Sequence, residues 1–274
     1  MDLMQFAARM RLPLYQCGQV ARALKGQVAR EDKEPDSVHQ LSTAVSVADR
    51  VCQEILMLGA HEALPGLEVQ SEELEDCAPE ILALYAENRH RYALILDPVD
   101  GSGDYLDQKD TYAHMAGLLD RESGHMVCGL VYFPERMRLH VGIRGMGAFV
   151  SDGLWTTPRP MSREAPPRTV EDVKRLQPDD YAAFAELGFE VVPPESASAA
   201  FELTRVAEGH LGAMVMRHFH GHDTAISSVM IEELGGAVLD SQGQPVTYEK
   251  AMPRMPIVIS SLEPDYAVEL ARAL

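Results

Sequence analysis

Five apolar residues, Tyr92-Ala93-Leu94-Ile95-Leu96, run without a polar break and then stop at Asp97. A run of this length and composition predicts a strand buried on both faces. Upstream, apolar residues recur at helical spacing. Phe6, Met10, Leu14, Cys17, Val20, Ala21 and Leu24 predict one long helix over about 3–30, with Pro13 as its place to kink. Val47, Val51, Ile55 and Leu58 share a face of a second helix over about 46–58, and Ser46 suits its N-cap. A short strand at 67–70 and a helix over about 79–87 precede the apolar run.

Downstream, the pattern predicts antiparallel strands at 111–119, 125–133 and 138–143, then a turn and another strand through Gly145-Met146-Gly147-Ala148-Phe149. Residues 152–170 are rich in Pro, Ser, Thr and charge and read as a connection between halves. The second half predicts helix over 171–188, strand at 189–192, helix at 198–209, strand at 211–216 and helix at 223–235, closed by Gly235-Gly236. Strands at 237–239 and 256–259 and a last helix complete it. Strands and helices in this alternation indicate a mixed α/β or α+β layered sandwich. The expected organisation is one domain over 1–274, with halves of about 1–150 and 151–274.

Composition narrows the function. The 274 residues are 46% hydrophobic, enough for a large core. No apolar run approaches ~20 residues, so no membrane span is expected. Met1-Asp2-Leu3-Met4-Gln5 has no basic segment followed by an apolar one, so no signal peptide is expected. Cys17, Cys52, Cys77 and Cys128 are widely spaced and read as reduced thiols of a cytoplasmic protein, with Cys52 in the core. Trp155 is expected in the core or at an interface. A net charge of -18 argues against a nucleic-acid polymer or an acidic membrane as the main partner. A phosphate substrate would also be repelled unless bound cations reversed the local sign.

The candidate chemistry starts where the apolar run stops, at Asp97-Pro98-Val99-Asp100-Gly101-Ser102. Two carboxylates three residues apart are anchored at one strand edge, with Pro98 and Gly101 fixing the turn. Hard divalent cations take rigid oxygen ligands of this kind. The backbone N–H groups that follow suit a phosphate. The plain alternative is a solvated Asp-Gly turn. Three further acidic stations could converge on the motif: Asp49 in the second helix, Glu72-Glu73 after the short strand, and Asp223 opening a helix. Each has an ordinary reading too. An acid at a helix N-terminus complements the macrodipole, and Ser71 to Asp76 reads as a solvated acidic run. His218, His220 and His222 alternate, which on a strand would put them on one face, as in a zinc site. An irregular turn, with His220 or His222 facing a substrate phosphate, is the other reading.

Taken in order, these stations resemble the inositol monophosphatase family of metal-dependent, lithium-sensitive phosphatases. The matching segments are Val45-Ser46-Val47-Ala48-Asp49, Glu72-Glu73, Asp97-Pro98-Val99-Asp100-Gly101-Ser102, Gly145-Met146-Gly147-Ala148-Phe149, Ser198-Ala199-Ala200, His222-Asp223 and Glu232-Glu233-Leu234-Gly235-Gly236. Ser46 and Ser102 stand where the family pattern has threonine, and His222 where it has tryptophan. The resemblance implies an α-β-α-β-α sandwich with the active site between two halves. It implies two or three Mg²⁺ ions, one held by Glu72, Asp97 and the Val99 carbonyl, another by Asp97, Asp100 and Asp223. Glu73 would assist through water. Gly101 and Ser102 would offer N–H groups to the phosphate. Asp49 and the Ser102 hydroxyl would orient and deprotonate the attacking water, and Glu72 would share in catalysis. Ser198, His220 and His222 are candidates for substrate contact.

The implied activity is hydrolysis of a small polyol or sugar phosphate, most simply inositol monophosphate, by metal-activated water. Related readings are a 3'(2'),5'-bisphosphate nucleotidase and a fructose-1,6-bisphosphatase. A reading of another class is a non-catalytic phosphate-ligand-binding protein on the same fold. The short segment between Phe149 and Ser198, and the lack of a counterpart to a lysine upstream of Val45, motivate it. A homodimer is expected from the resemblance alone.

Overall fold

The computed structural model describes residues 2–27, 31–32, 44–45, 47–71, 74, 77–172, 176–248 and 254–274. Helix α1 (Leu3–Leu24) begins at Asp2, whose carboxylate caps the Met4 N–H, and runs through Pro13 as one element. Short strands β1 (Glu31–Asp32) and β2 (Ala44–Val45) pair with each other. Helix α2 (Val47–Ala63) is one turn longer at its C-terminus than its apolar pattern predicts. Ser46, the expected N-cap, lies outside the described residues.

Seven strands form the first sheet, in the order of the chain: β3 (Glu68–Ser71), β4 (Tyr92–Asp100), β5 (Ala113–Asp120), β6 (His125–Phe133), β7 (Arg138–Ile143), β8 (Gly147–Asp152) and β9 (Arg159–Pro160). Between the first two lies α3 (Pro79–Ala83), and α4 (Ser102–Leu106) follows the second. The sheet is buried on both faces, as the unbroken apolar run requires. Leu94 and Leu96 pack with α1 and α2, whereas Ala93 and Ile95 face a second layer of helices.

That second layer is α6 (Ala199–Ala207) and α7 (Gly221–Glu233). Gly129 of β6 lets α7 approach: a Cβ there would stand 2.0 Å from the Ile226 carbonyl oxygen. Beyond this layer lies a five-stranded sheet of β10 (Thr169–Asp172), β11 (Glu190–Val192), β12 (Ala213–His220), β13 (Ala237–Leu239) and β14 (Arg254–Ser261), in the order β11-β10-β12-β14-β13. Its outer face packs on α5 (Pro178–Glu186) and α8 (Pro264–Ala273) through Val170, Phe184, Val215, Ile259 and Leu270. The layers are therefore α-β-α-β-α, as expected.

Several expectations are corrected. The strand that the apolar run opens carries Asp97 and Asp100 at its end, as expected, but with a bulge between them. A bulge accommodates Pro98, which has no N–H for a ladder, and the His114 Nδ1 reaches the Pro98 carbonyl. Thr169–Asp172, expected as part connection and part helix, is an inner strand. Its Glu171 side chain is fully buried, contrary to what a charged residue suggests. Helix α7 starts two residues earlier than predicted. Trp155 is 88% exposed and is not core. Its loop is tied instead by Arg11, which donates to the Gly153 and Thr156 carbonyls.

Candidate metal centre

The bulge at the end of β4 sets the geometry. It turns Asp97 and Asp100 toward the N-terminus of α7, and both are buried. One donor atom from each of Asp97, His222 and Asp223 lies within 4.8 Å of the other two. Asp223 caps its own helix, its Oδ2 accepting the His220 N–H at 3.1 Å, while its Oδ1 lies 3.2 Å from the His222 Nε2. The His220 and His222 rings stack at 5.3 Å and 11°. Thus the alternation of histidines does not produce one strand face. His218 takes a left-handed φ of 55° at the end of β12, His220 caps α7 and His222 lies within it.

Asp100 is held at the start of α6. Its carboxylate accepts the Ser198 hydroxyl, the Ala199 N–H at 3.2 Å and the Ala200 N–H at 2.9 Å. Burial pushes its pKa up to about 7; the Ser198 and Ala200 donors oppose this, and the negative charge of Asp223 adds to it. Two remote carboxylates therefore meet here at an electrostatic cost that a cation would relieve. The donor set fits a divalent metal: buried carboxylates on rigid elements, drawn from β4 and α7.

Gly101 follows at φ 78°, in the left-handed region, and starts α4. A Cβ here would stand 2.8 Å from the Ser198 Cβ, so the turn after β4 and the start of α6 touch. The Ser102 hydroxyl donates to the Val99 carbonyl at 2.8 Å and lies 3.3 Å from the Asp49 Oδ1. Asp49, in the first turn of α2, is buried. The structure thus brings Asp97, Asp100, Ser198, His222 and Asp223 together, and joins Asp49 to Val99 through Ser102. Glu72 and Glu73 lie outside the described residues.

Sequence reasoning missed the framework behind these groups. Asp104 of α4 accepts Lys109 Nζ at 2.6 Å, Thr111 Oγ1 at 2.7 Å, Ser196 Oγ at 2.6 Å and the Ala197 N–H at 3.0 Å. Burial alone would raise its pKa; these four donors outweigh burial and lower it. Glu202 of α6 accepts the Glu195 and Ser196 N–H groups and pairs with Arg205 at 2.6 Å. Glu171 of β10 abuts Glu202, and its pKa is driven upward by burial and then by Glu202. Spacing alone could not flag these acids. The one signal was an acid at an apolar helix position, Glu202 between Phe201 and Leu203.

Comparison with known proteins places this geometry. A family model described as the inositol monophosphatase family matches residues 10–270. The chain belongs to the inositol monophosphatase family. It is therefore a metal-dependent phosphoric monoester hydrolase. An inositol-1-monophosphatase of Bacillus subtilis is 26% identical over 163 residues, which span 56% of this chain and 58% of that protein. A fructose-1,6-bisphosphatase/inositol-1-monophosphatase of Aquifex aeolicus is 26% identical over 227 residues, 80% of this chain and 79% of that protein. The solved structure of an IMPase/NADP phosphatase with Mg²⁺ and phosphate superposes with a TM-score of 0.75 at 19% identity, covering 100% of this chain and 97% of that one. The last likeness establishes the fold.

Proposed function

We propose that this family member hydrolyses a small polyol or sugar phosphate, most simply myo-inositol monophosphate, in the cytoplasm. The observation that carries the proposal is the meeting of Asp97 and Asp223 beside Asp100, from elements remote in the chain, β4 and α7. Asp97, Asp100 and Asp223, with Glu72 and the Val99 carbonyl, would hold Mg²⁺. Bound cations supply an acidified water, neutralise phosphoryl oxygens and stabilise the leaving alkoxide.

The chain's own residues supply position. Asp100 is oriented by the first turn of α6, so its free lone pairs have a fixed direction. The left-handed Gly101 and the start of α4 present N–H groups suited to a phosphate oxygen. Asp49 and Ser102 lie near enough to act on one water, Asp49 as proton acceptor and Ser102 as orienter. Ser198, which touches Asp100, and His220, which stacks on His222, are assigned to the substrate side. A homodimer belongs to this reading, and light scattering on the purified chain tests it.

A fructose-1,6-bisphosphatase activity is a second reading, favoured by the Aquifex aeolicus relative. Phosphate release from inositol 1-phosphate, fructose 1,6-bisphosphate, adenosine 3',5'-bisphosphate and NADP, each with Mg²⁺ and with chelator, separates the candidates. Fastest Mg²⁺-dependent release from inositol 1-phosphate is the expected result. A preference for a nucleotide or for the bisphosphate sugar overturns the substrate assignment. No turnover of any phosphomonoester would leave a phosphate-binding role.

A further inference from the structure

The His222 ring differs in kind from the acids around it. Its Nε2 lies 3.2 Å from the Asp223 Oδ1, and both share a 4.8 Å cluster with an Asp97 oxygen. Two ligand atoms each about 2.1 Å from one ion stand about 3.0 Å apart at octahedral angles and about 3.4 Å apart at tetrahedral ones. The observed 3.2 Å separation falls between these spacings. The ring is also preoriented. It is buried, and the His220 ring lies parallel to it at 5.3 Å. The Asp223 carboxylate is fixed in turn by the His220 N–H on its other oxygen. The result is a mixed nitrogen–oxygen donor set on two rigid elements.

Donor type decides which dication such a set favours. Mg²⁺ is hard, dehydrates reluctantly and takes oxygen ligands. Imidazole nitrogen suits first-row transition ions, whose affinity for mixed sites rises from Mn²⁺ toward Co²⁺ and beyond. We propose that His222 is a nitrogen ligand of the cation position formed with Asp97 and Asp223, so that this position binds Mn²⁺ and Co²⁺ more tightly than Mg²⁺. The proposal rests on the metal-site reading above and extends it. Mg²⁺ would still enter through the carboxylates, but it would gain little from the imidazole.

The test uses the full chain stripped of metal, with no substrate. Mn²⁺ binding is followed by electron paramagnetic resonance, Co²⁺ binding by visible absorption, and Mg²⁺ by competition. Wild type is expected to bind Co²⁺ and Mn²⁺ at least about tenfold more tightly than Mg²⁺. In His222→Asn and His222→Gln, Co²⁺ affinity should fall by about tenfold or more while Mg²⁺ affinity changes little. Equal losses for both ions, or no loss, overturn the role of His222. Pulsed resonance of Mn²⁺-loaded wild type needs no variant. Coupling to a directly bound nitrogen is expected, and its absence overturns the proposal. Asp223→Asn is the control for the site itself and should weaken every dication. If wild type binds no dication at all, the metal-site reading falls with this proposal, whereas normal binding without His222 dependence defeats this proposal alone.

Discussion

The Ser198 hydroxyl donates to the Asp100 carboxylate across 98 residues of chain, tying the N-cap of α6 to the end of β4. The Ala199 and Ala200 N–H groups complete the grip, so one buried carboxylate closes a helix N-terminus and faces the Asp223 charge. Ser198→Ala removes one hydrogen bond to an acid, a change of about 1.5–3 kcal/mol. The predicted result is a fall in kcat/KM of about tenfold or more, with the fold retained. Unchanged steady-state kinetics would show that Asp100 needs no such orientation.

Gly101 has two constraints at once, a left-handed φ of 78° and a neighbouring Ser198 Cβ 2.8 Å from where a Cβ would sit. Gly101→Ala therefore incurs about 1–2 kcal/mol of backbone strain and pushes α4 away from α6. Urea denaturation should register at least that loss, and activity should fall further than stability does. A variant as stable and active as wild type would contradict the packing of these two turns.

Asp104 links α4 to the 196–197 segment through the Ser196 hydroxyl and the Ala197 N–H, and also accepts the Thr111 hydroxyl and the ammonium of a half-exposed Lys109. In Asp104→Ala the Thr111 and Ser196 hydroxyls and the Ala197 N–H lose their acceptor inside the protein. A loss of about 2 kcal/mol or more is predicted from chemical denaturation, because buried polar groups left unpaired cost more than exposed ones. Asp104→Asn keeps part of the acceptor capacity and should lose less. Equal stability for wild type and the alanine variant would remove Asp104 from the framework.

Glu171 gives a pH prediction. Neither of its oxygens meets a donor among the described residues, while the Glu202 carboxylate stands beside it. Burial first, and then Glu202, raise the folded pKa above the ordinary 4.5, and a proton shared between the two acids would satisfy both. The folded protein then holds a proton that the unfolded chain releases. The contribution is fully present below pH about 4.5 and is lost as pH rises toward the folded value, by up to about 1.4 kcal/mol per unit. Glu171→Gln supplies an N–H donor with no proton uptake. Its stability relative to wild type should increase with pH above 5, as read by urea denaturation across pH 5–9. Parallel profiles for the two proteins would exclude the shared proton.

The layers were legible because buried strands and helix faces leave their period in the chain. Leu94 and Leu96 face one helix layer and Ala93 and Ile95 the other, as an unbroken apolar strand must. The Asp97 and Asp100 motif was legible because Pro98 and Gly101 mark a backbone change beside two acids. What stayed hidden is burial that charge disguises. Glu171 made an inner strand look like part of a helix, and the Ser196 and Ala197 groups that hold Asp104 lie more than ninety residues away in the chain. Trp155 shows the reverse, a large apolar ring left in solvent while Arg11 fixes its loop through backbone carbonyls. Bulges were hidden as well, since the register slip that aims Asp97 depends on the partner strand β5.

The central claim is that Asp97, Asp100 and Asp223 hold the catalytic metal. A crystal soaked in Mn²⁺ and phosphate, measured at the manganese absorption edge, tests it directly. The account predicts an anomalous peak within bonding distance, about 2.0–2.3 Å, of oxygens from Asp97 and Asp223, with phosphate beside Gly101. A map with manganese bound elsewhere, and none between β4 and the start of α7, would contradict it.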